Sequence, residues 1–252
     1  MKSKLKKPLI SLAVLLFWLA VWEILAIVID LEFVLPRVET TIVTLFSLLC
    51  KKDFYLIVLS SLVRIFSSFL IGVLIAIALA LFAIRFSFFK ALVSPLIAIS
   101  KSTPVAVLII LLWLILSSGA KVSGAVAILM VVPVIWQNML DGYGAIDKQL
   151  DEVTKIYGFS YLKRLKILVL PTLLKFLFPG IITASGLAWK AGIAAEVICI
   201  TKNSIGKEIY NAKSILDGPK TFAFTIVVLV LSVAVEKLIR LLVKGVSKKC
   251  RL

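Results

Sequence analysis

Six stretches of this chain stay apolar for about twenty residues, the length at which a helix rising about 1.5 Å per residue crosses the roughly 30 Å hydrocarbon layer of a bilayer. They are Leu9–Ile29, Leu56–Ile84, Ala91–Leu116, Val122–Leu140, a run from about Leu173 to Ile200, and Thr221–Val243. Inside lipid every backbone polar group must be satisfied internally, which leaves helices or a closed barrel. Barrel strands alternate apolar and polar residues over about ten positions. These runs are continuously apolar, so helices are expected. With 62% hydrophobic residues, 17% charged and a mean hydropathy of +1.13, the composition belongs with membrane proteins. The expectation is an all-α, polytopic membrane protein with six transmembrane helices. It forms one transmembrane domain over residues 1–252, with core spans at about 56–243. The opening MKSKLKKP precedes an apolar run too long for a signal-peptide core, so the first helix is expected to be retained.

The chain has no histidine, and Cys50, Cys199 and Cys250 lack metal-ligand spacing. No metal site or disulfide framework is implied. The net charge of +16 sits at helix ends and in connections rather than on a soluble face, which argues for membrane orientation and against nucleic acid. Fifteen lysines and arginines fall on one side, in the groups Lys2 to Lys7, Arg85 with Lys90, Lys148 to Lys166, and Lys244 to Arg251; eight fall opposite. The positive-inside rule then places both termini in the cytoplasm of a multi-pass cell-membrane protein, together with the polar connection between runs four and five.

That connection, residues 141–171, contains LDEVTKIYGFSYLKRLKILVLP, in which Glu152 is followed by Gly158 and then by Leu170-Pro171. A short helix over Glu152 to Ile156, a sharp turn at Gly158 and a second helix from Phe159 to Leu168 are expected. Pro171 suits the first turn of the fifth span, where its missing N–H is harmless.

The spacing of Glu152, Gly158 and Leu170-Pro171 resembles the EAA signature of binding-protein-dependent ABC importer permeases, with Val153 and Thr154 where the signature has alanines. LPRVETTIVTLF, residues 35–46, resembles the Leu-Pro entry of sulfonate, taurine and nitrate permeases. The end of the third run, VLIILLWLILSSG, departs from those relatives by lacking a second proline and a Trp-Phe-Gly. The resemblance implies that Glu152, Tyr157, Gly158, Phe159, Leu170 and Pro171 couple the chain to an ABC ATPase subunit. It also implies a permease homodimer that moves a small anion delivered by an extracytoplasmic solute-binding protein. A thiamine precursor or other heterocycle is the alternative cargo.

No GxxxxGK[ST] phosphate loop occurs; Gly206-Lys207 is followed by Glu208. ATP and magnesium are therefore expected on a separate subunit, and no cofactor is expected on this chain. The segments at 30–55 and 201–220 are too short to fold a ligand-binding module. With no nucleophile–base constellation, catalysis is not expected. An ion-coupled carrier is the rival reading from another class, and it would often show inverted repeats, none of which is visible.

Polar residues within the runs mark a candidate pathway. Lys101, Ser102 and Thr103 precede Pro104, a combination that predicts a helix break beside a cavity. Lys101 there could attract an anion, or simply snorkel or pair. Thr183, Ser185, Trp189, Lys190 and Glu196 punctuate the fifth run, with Arg64 one candidate partner for Glu196. Ala184, Ala188, Gly192 and Ala195 form a small-residue stripe suited to close helix packing.

Overall fold

A computed structural model describes residues 2–249. Cys50 and Cys199 are free thiols; Cys250 and Arg251 lie outside the described residues, as do the side chains of Lys2, Lys4, Lys6, Lys7, Lys248 and Lys249. The described chain is helical: α1 (Lys2–Ile29), α2 (Val38–Leu49), α3 (Lys52–Arg85), α4 (Ser87–Ser102), α5 (Val105–Leu116), α6 (Gly119–Gly144), α7 (Lys148–Ile156), α8 (Tyr161–Arg164), α9 (Leu170–Ile198), α10 (Ile205–Ser214) and α11 (Gly218–Lys249). Length and composition qualify α1, α3, α6 and the continuous helical stretch Tyr161–Ile198 individually as spans. The sixth apolar run lies in α11, a 32-residue helix with no charge between Thr221 and Val235.

The third run is not one straight helix. It is split into α4 and α5, bent by 112° across Thr103–Pro104, and qualifies as a span only as that pair. Proline cannot donate a backbone hydrogen bond, so α4 ends just before it. Ser102 and Thr103 complete the end of α4. The Thr103 hydroxyl donates to the Ile99 carbonyl at 2.7 Å, and the Ser102 hydroxyl donates to Ala98 at 3.1 Å. Both hydroxyls of the pair before Pro104 are thus bonded back into the last turn of α4.

The core forms where α6 packs on α9 and α3, its most extensive contacts. Trp136, Ile135, Val131 and Ala127 of α6 are buried against Ala76 and Ala80 of α3 and Ala184 and Ala188 of α9. Small residues set the separation. A Cβ on Gly192 would stand 2.7 Å from Ile65 Cγ1, and one on Gly72 would stand 3.1 Å from Val131 Cβ. Without a hydrophobic driving force in lipid, such close backbone approach is what gives helices their packing contacts. The Gly192 carbonyl also accepts the buried Ser123 hydroxyl at 3.0 Å, tying α6 to α9.

By contrast, the apolar window of α1 is only 6% buried. Two polar links hold α1 to the start of α2 and the turn before it. The Trp22 indole N–H donates to the Pro36 carbonyl at 2.9 Å, and Glu23 accepts the Val38 N–H at 2.9 Å, capping α2 from a neighbouring helix. Replacing Gly192 with valine should push α3 away from α9 and lower stability by about 1–3 kcal/mol, the usual cost of overpacking. Thermal unfolding of the detergent-solubilised chain measures it, and Gly186→Ala, where an added Cβ meets nothing within 4 Å, serves as the control.

Candidate functional site

Two features carry polar chemistry: a hairpin at one end of the helices and a set of charged groups along α3, α4 and α9. The hairpin begins at Asp147, whose carboxylate caps α7 by accepting the N–H of Gln149 at 2.8 Å. The C-terminus of α7 closes in a Schellman motif. The Phe159 N–H donates to Thr154 and the Gly158 N–H to Lys155, with Gly158 at φ +63°. A side chain there would be strained, so the turn requires glycine. Ser160 caps α8, and Lys163 lies 4.1 Å from the Phe159 ring centroid.

The expected second helix is present, but its junction with the fifth span was not foreseen. Leu165–Val169 form a π-helical segment joining α8 to α9 without a break, with the Leu170 N–H reaching five residues back to the Leu165 carbonyl. Pro171 follows at once, and the Thr172 hydroxyl donates to the Leu168 carbonyl at 2.8 Å. The wider turn accommodates a residue that cannot donate. Leu170 and Pro171 therefore shape the root of the hairpin rather than its tip.

At the tip, Ile156 is 81% exposed, Tyr157 75% and Leu162 74%, with Tyr161 beside them. Of these, Ile156, Tyr161 and Leu162 were missed by the sequence reading; the signal available was their apolar character in a connection expected to be cytoplasmic. Thr154, in contrast, is buried. Asp151 clasps α7 to α8 through Arg164 and pairs with Lys155 at 3.1 Å. The Arg164 hydrogen bond, then that of Lys155, holds the Asp151 carboxyl below its ordinary range. Glu152 is exposed and makes no ion pair among the described residues.

The charged groups within the helices divide sharply. Glu196 is fully buried, and its carboxylate is held by Arg64 at 2.6 Å and by the Ser61 hydroxyl at 2.8 Å. The Gly206 N–H reaches the same carboxylate at 3.4 Å, and Ser61 in turn accepts the Ile205 N–H at 2.9 Å. The pairing of Glu196 with Arg64, one of the alternatives open from sequence, is realised. The knot joins α3, α9 and α10 inside one chain, so Glu196 does not face an open path.

Ser185 and Trp189 are also buried; the Trp189 indole N–H donates to Val228 of α11 at 3.1 Å, and the Ser185 hydroxyl turns back to Ile182. Thr183 and Lys190 are exposed, as is Lys175 on the same helix, and neither lysine has an ion pair among the described residues. Lys101 lines a cleft of about 320 Å³ between α4 and α6 with Lys90, Ser94, Gln137 and Asp141, whereas Ser102, Thr103 and Pro104 do not line it.

The family model described as the binding-protein-dependent transport system inner membrane component matches residues 68–248, from within α3 through the hairpin and most of α11. The chain belongs to this family. As a permease component it is the membrane part of such a system and not itself the catalyst. A curated relative, the putative aliphatic sulfonates transport permease protein SsuC of Bacillus subtilis (strain 168), is 25% identical over 114 residues, which is 45% of this chain and 41% of that protein. Thus the match spans less than half of that relative's length. A solved structure described as an amino acid ABC transporter with histidines superposes with a TM-score of 0.62 at 16% identity, covering 75% of this chain and 92% of that one. At that identity the likeness shows the permease fold alone.

Two outcomes are expected for the permease. Arg64→Ala leaves the Glu196 carboxylate buried without its cation and should cost about 3–5 kcal/mol, whereas Arg64→Met combined with Glu196→Met should recover much of the loss; thermal melting of the three proteins decides. The depressed Asp151 contributes stability above its unfolded value of about 3.9 and loses that contribution as pH falls through its lower folded value. Protease cleavage within 147–164 should therefore stay slow at neutral pH and accelerate only below about pH 4, with Asp151→Asn cleaved faster at neutral pH and the difference closing as the pH falls below that.

Proposed function

We propose that this permease is half of an ATP-driven importer, with two copies enclosing a path. A separate ATPase docks under the α7–α8 hairpin, and a separate solute-binding protein docks at the opposite end. The single observation that carries the reading is the hairpin tip, where Ile156, Tyr157, Tyr161 and Leu162 stand exposed beside the unpaired Glu152. Large apolar side chains grouped on a protrusion mark a protein-binding surface, and a free carboxylate at its edge can set orientation.

The hairpin is joined to the membrane by a stiff element. From Tyr161 to Ile198 the helix is continuous for 38 residues, about 57 Å at 1.5 Å per residue, and it ends at the Glu196 knot. Movement of the tip is transmitted along that rod to α3 and α10. Closure of the paired ATPases on ATP would rock the hairpins and open the path outward, and hydrolysis would return it inward.

A small anion, of the sulfonate, taurine or nitrate kind, is the cargo we favour. Lys101, Lys175 and Lys190 are exposed without carboxylate partners among the described residues, and they suit a path for negative charge better than a lipid-facing surface. The distant relative named for aliphatic sulfonates agrees with that class.

Glu152→Arg and Gly158→Pro test the coupling directly. Gly158→Pro removes an N–H that closes the Schellman motif and demands a negative φ where +63° is required. Both variants should reach the membrane at normal levels, retain ATP hydrolysis by the co-purified ATPase and lose at least about tenfold in uptake, equivalent to about 1.4 kcal/mol of coupling. Normal uptake in both would exclude this role for the hairpin.

A further inference from the structure

At the end of α6 opposite the hairpin lies a cleft of about 400 Å³, formed where the turn between α5 and α6 meets the segment following α9. Its floor is the first turn of α6. Ser118 occupies the N-cap position in an extended conformation but makes no side-chain cap, so the N–H groups of Gly119, Ala120 and Lys121 have no partner among the described residues. A 26-residue helix presents its positive dipole end there.

An independent observation points to a ligand at the same place. Thr201 lines the cleft, is only 3% exposed, and its Oγ1 is the buried side-chain polar atom left without a hydrogen bond among the described residues. The backbone of Thr201 is satisfied on both sides: its N–H donates to the Glu196 carbonyl at 3.0 Å and its carbonyl accepts the Ser204 hydroxyl at 2.6 Å. Only the hydroxyl is idle, and it packs beside Gly119 at the start of α6, where an added Cβ would lie 2.5 Å from it. A buried polar group without a partner costs free energy, so its retention calls for an explanation.

The charge around the cleft selects the sign of the ligand. Lys202 contributes the cationic group of the lining, and no carboxylate contributes to it. The neighbouring cleft between α2, α3, α10 and α11 differs in this respect: Asp53, Glu208 and Asp217 line it, and its Lys220 is already paired with Glu208 at 2.9 Å. Free backbone N–H groups at a helix start, a donor hydroxyl and an unpaired lysine together match a small oxyanion.

We infer that the cleft between the N-terminus of α6 and the Thr201-Lys202 segment is a binding site for a tetrahedral oxyanion of the sulfate, sulfonate or phosphate class. The oxygens accept from the first-turn N–H groups and the Thr201 hydroxyl, and Lys202 neutralises the charge. The site stands on this geometry and does not rest on the importer reading or on the identity of its cargo. The same chemistry is offered by a soluble anion and by the phosphate of an anionic lipid.

The test uses the full chain in nanodiscs of phosphatidylcholine, melted against sodium sulfate or sodium methanesulfonate, with sodium chloride at matched ionic strength as reference. Wild type should be stabilised by the oxyanions beyond chloride. Thr201→Val and Lys202→Gln should each weaken that response about tenfold, the order expected for losing one charge-assisted hydrogen bond. Without added anion, Thr201→Val should melt no lower than wild type, since the hydroxyl it removes has no partner, and this separates lost binding from misfolding.

Repeating the series in phosphatidylglycerol identifies the source. A lipid-dependent stabilisation that abolishes the sulfate response and is itself lost in both variants assigns the site to a headgroup phosphate; a persisting sulfate response assigns it to a soluble anion. Oxyanions acting no better than chloride in either lipid, or both variants responding like wild type, would overturn the site. Uptake measured on the same variants is a separate readout, so failure of the site leaves the importer reading standing.

Discussion

The buried carboxylate of Glu196 is the interaction on which the upper half of the molecule depends. An uncompensated charge inside an apolar helix bundle is expensive, and its cost is contained only if opposite charge and donors surround it. Arg64 supplies the charge from α3, Ser61 supplies a hydroxyl one turn earlier, and the first N–H groups of α10 complete the shell. Because the partners come from three elements, the pairing aligns α3 with α9 in depth and rotation and fixes where α10 starts. The close approach of Gly192 to Ile65 and the orientation of Thr201 both follow from that alignment.

Proline governs the other departures from straight helices, and the chain resolves two of them differently. At Pro104 the helix stops, with the Ser102 and Thr103 hydroxyls bonded back to the Ala98 and Ile99 carbonyls, and α5 leaves at an elbow of 112°. At Pro171 the helix continues, because the preceding turn widens to π spacing and Thr172 attends to the Leu168 carbonyl. The first solution turns α5 sharply away from the line of α4. The second preserves a continuous helix from the hairpin to the Glu196 knot.

Surface chemistry separates the two ends of the bundle. The hairpin end offers large apolar side chains on a protrusion whose shape is fixed by caps at Asp147 and Ser160 and by the left-handed Gly158. The opposite end offers concave polar clefts, one with an unpaired lysine over a helix start and one with its lysine already neutralised. Protruding apolar groups suit a protein partner, and concave polar ones suit a small ion. This asymmetry runs along a bundle whose middle is packed through glycine and alanine.

Much was legible in the sequence because it is encoded locally. Apolar run length specified the long helices, although of the six spans expected four qualify singly and a fifth only as the bent pair α4 and α5 among the described residues; the helix–Gly–helix pattern specified the hairpin with Gly158 at its turn, and KSTP marked the break in the third run. Glu196 and Arg64 could be named as one candidate pair, but 132 residues separate them and several other pairings were equally open. Only the packing of α3 against α9 selected this one, turned Ser185 and Trp189 inward while leaving Thr183 and Lys190 outside, and set Thr201 against the start of α6. Run length and turn chemistry act over a few residues, so sequence alone displays them. The direction a side chain faces depends on which helix lies beside it, and that is decided only when the helices pack.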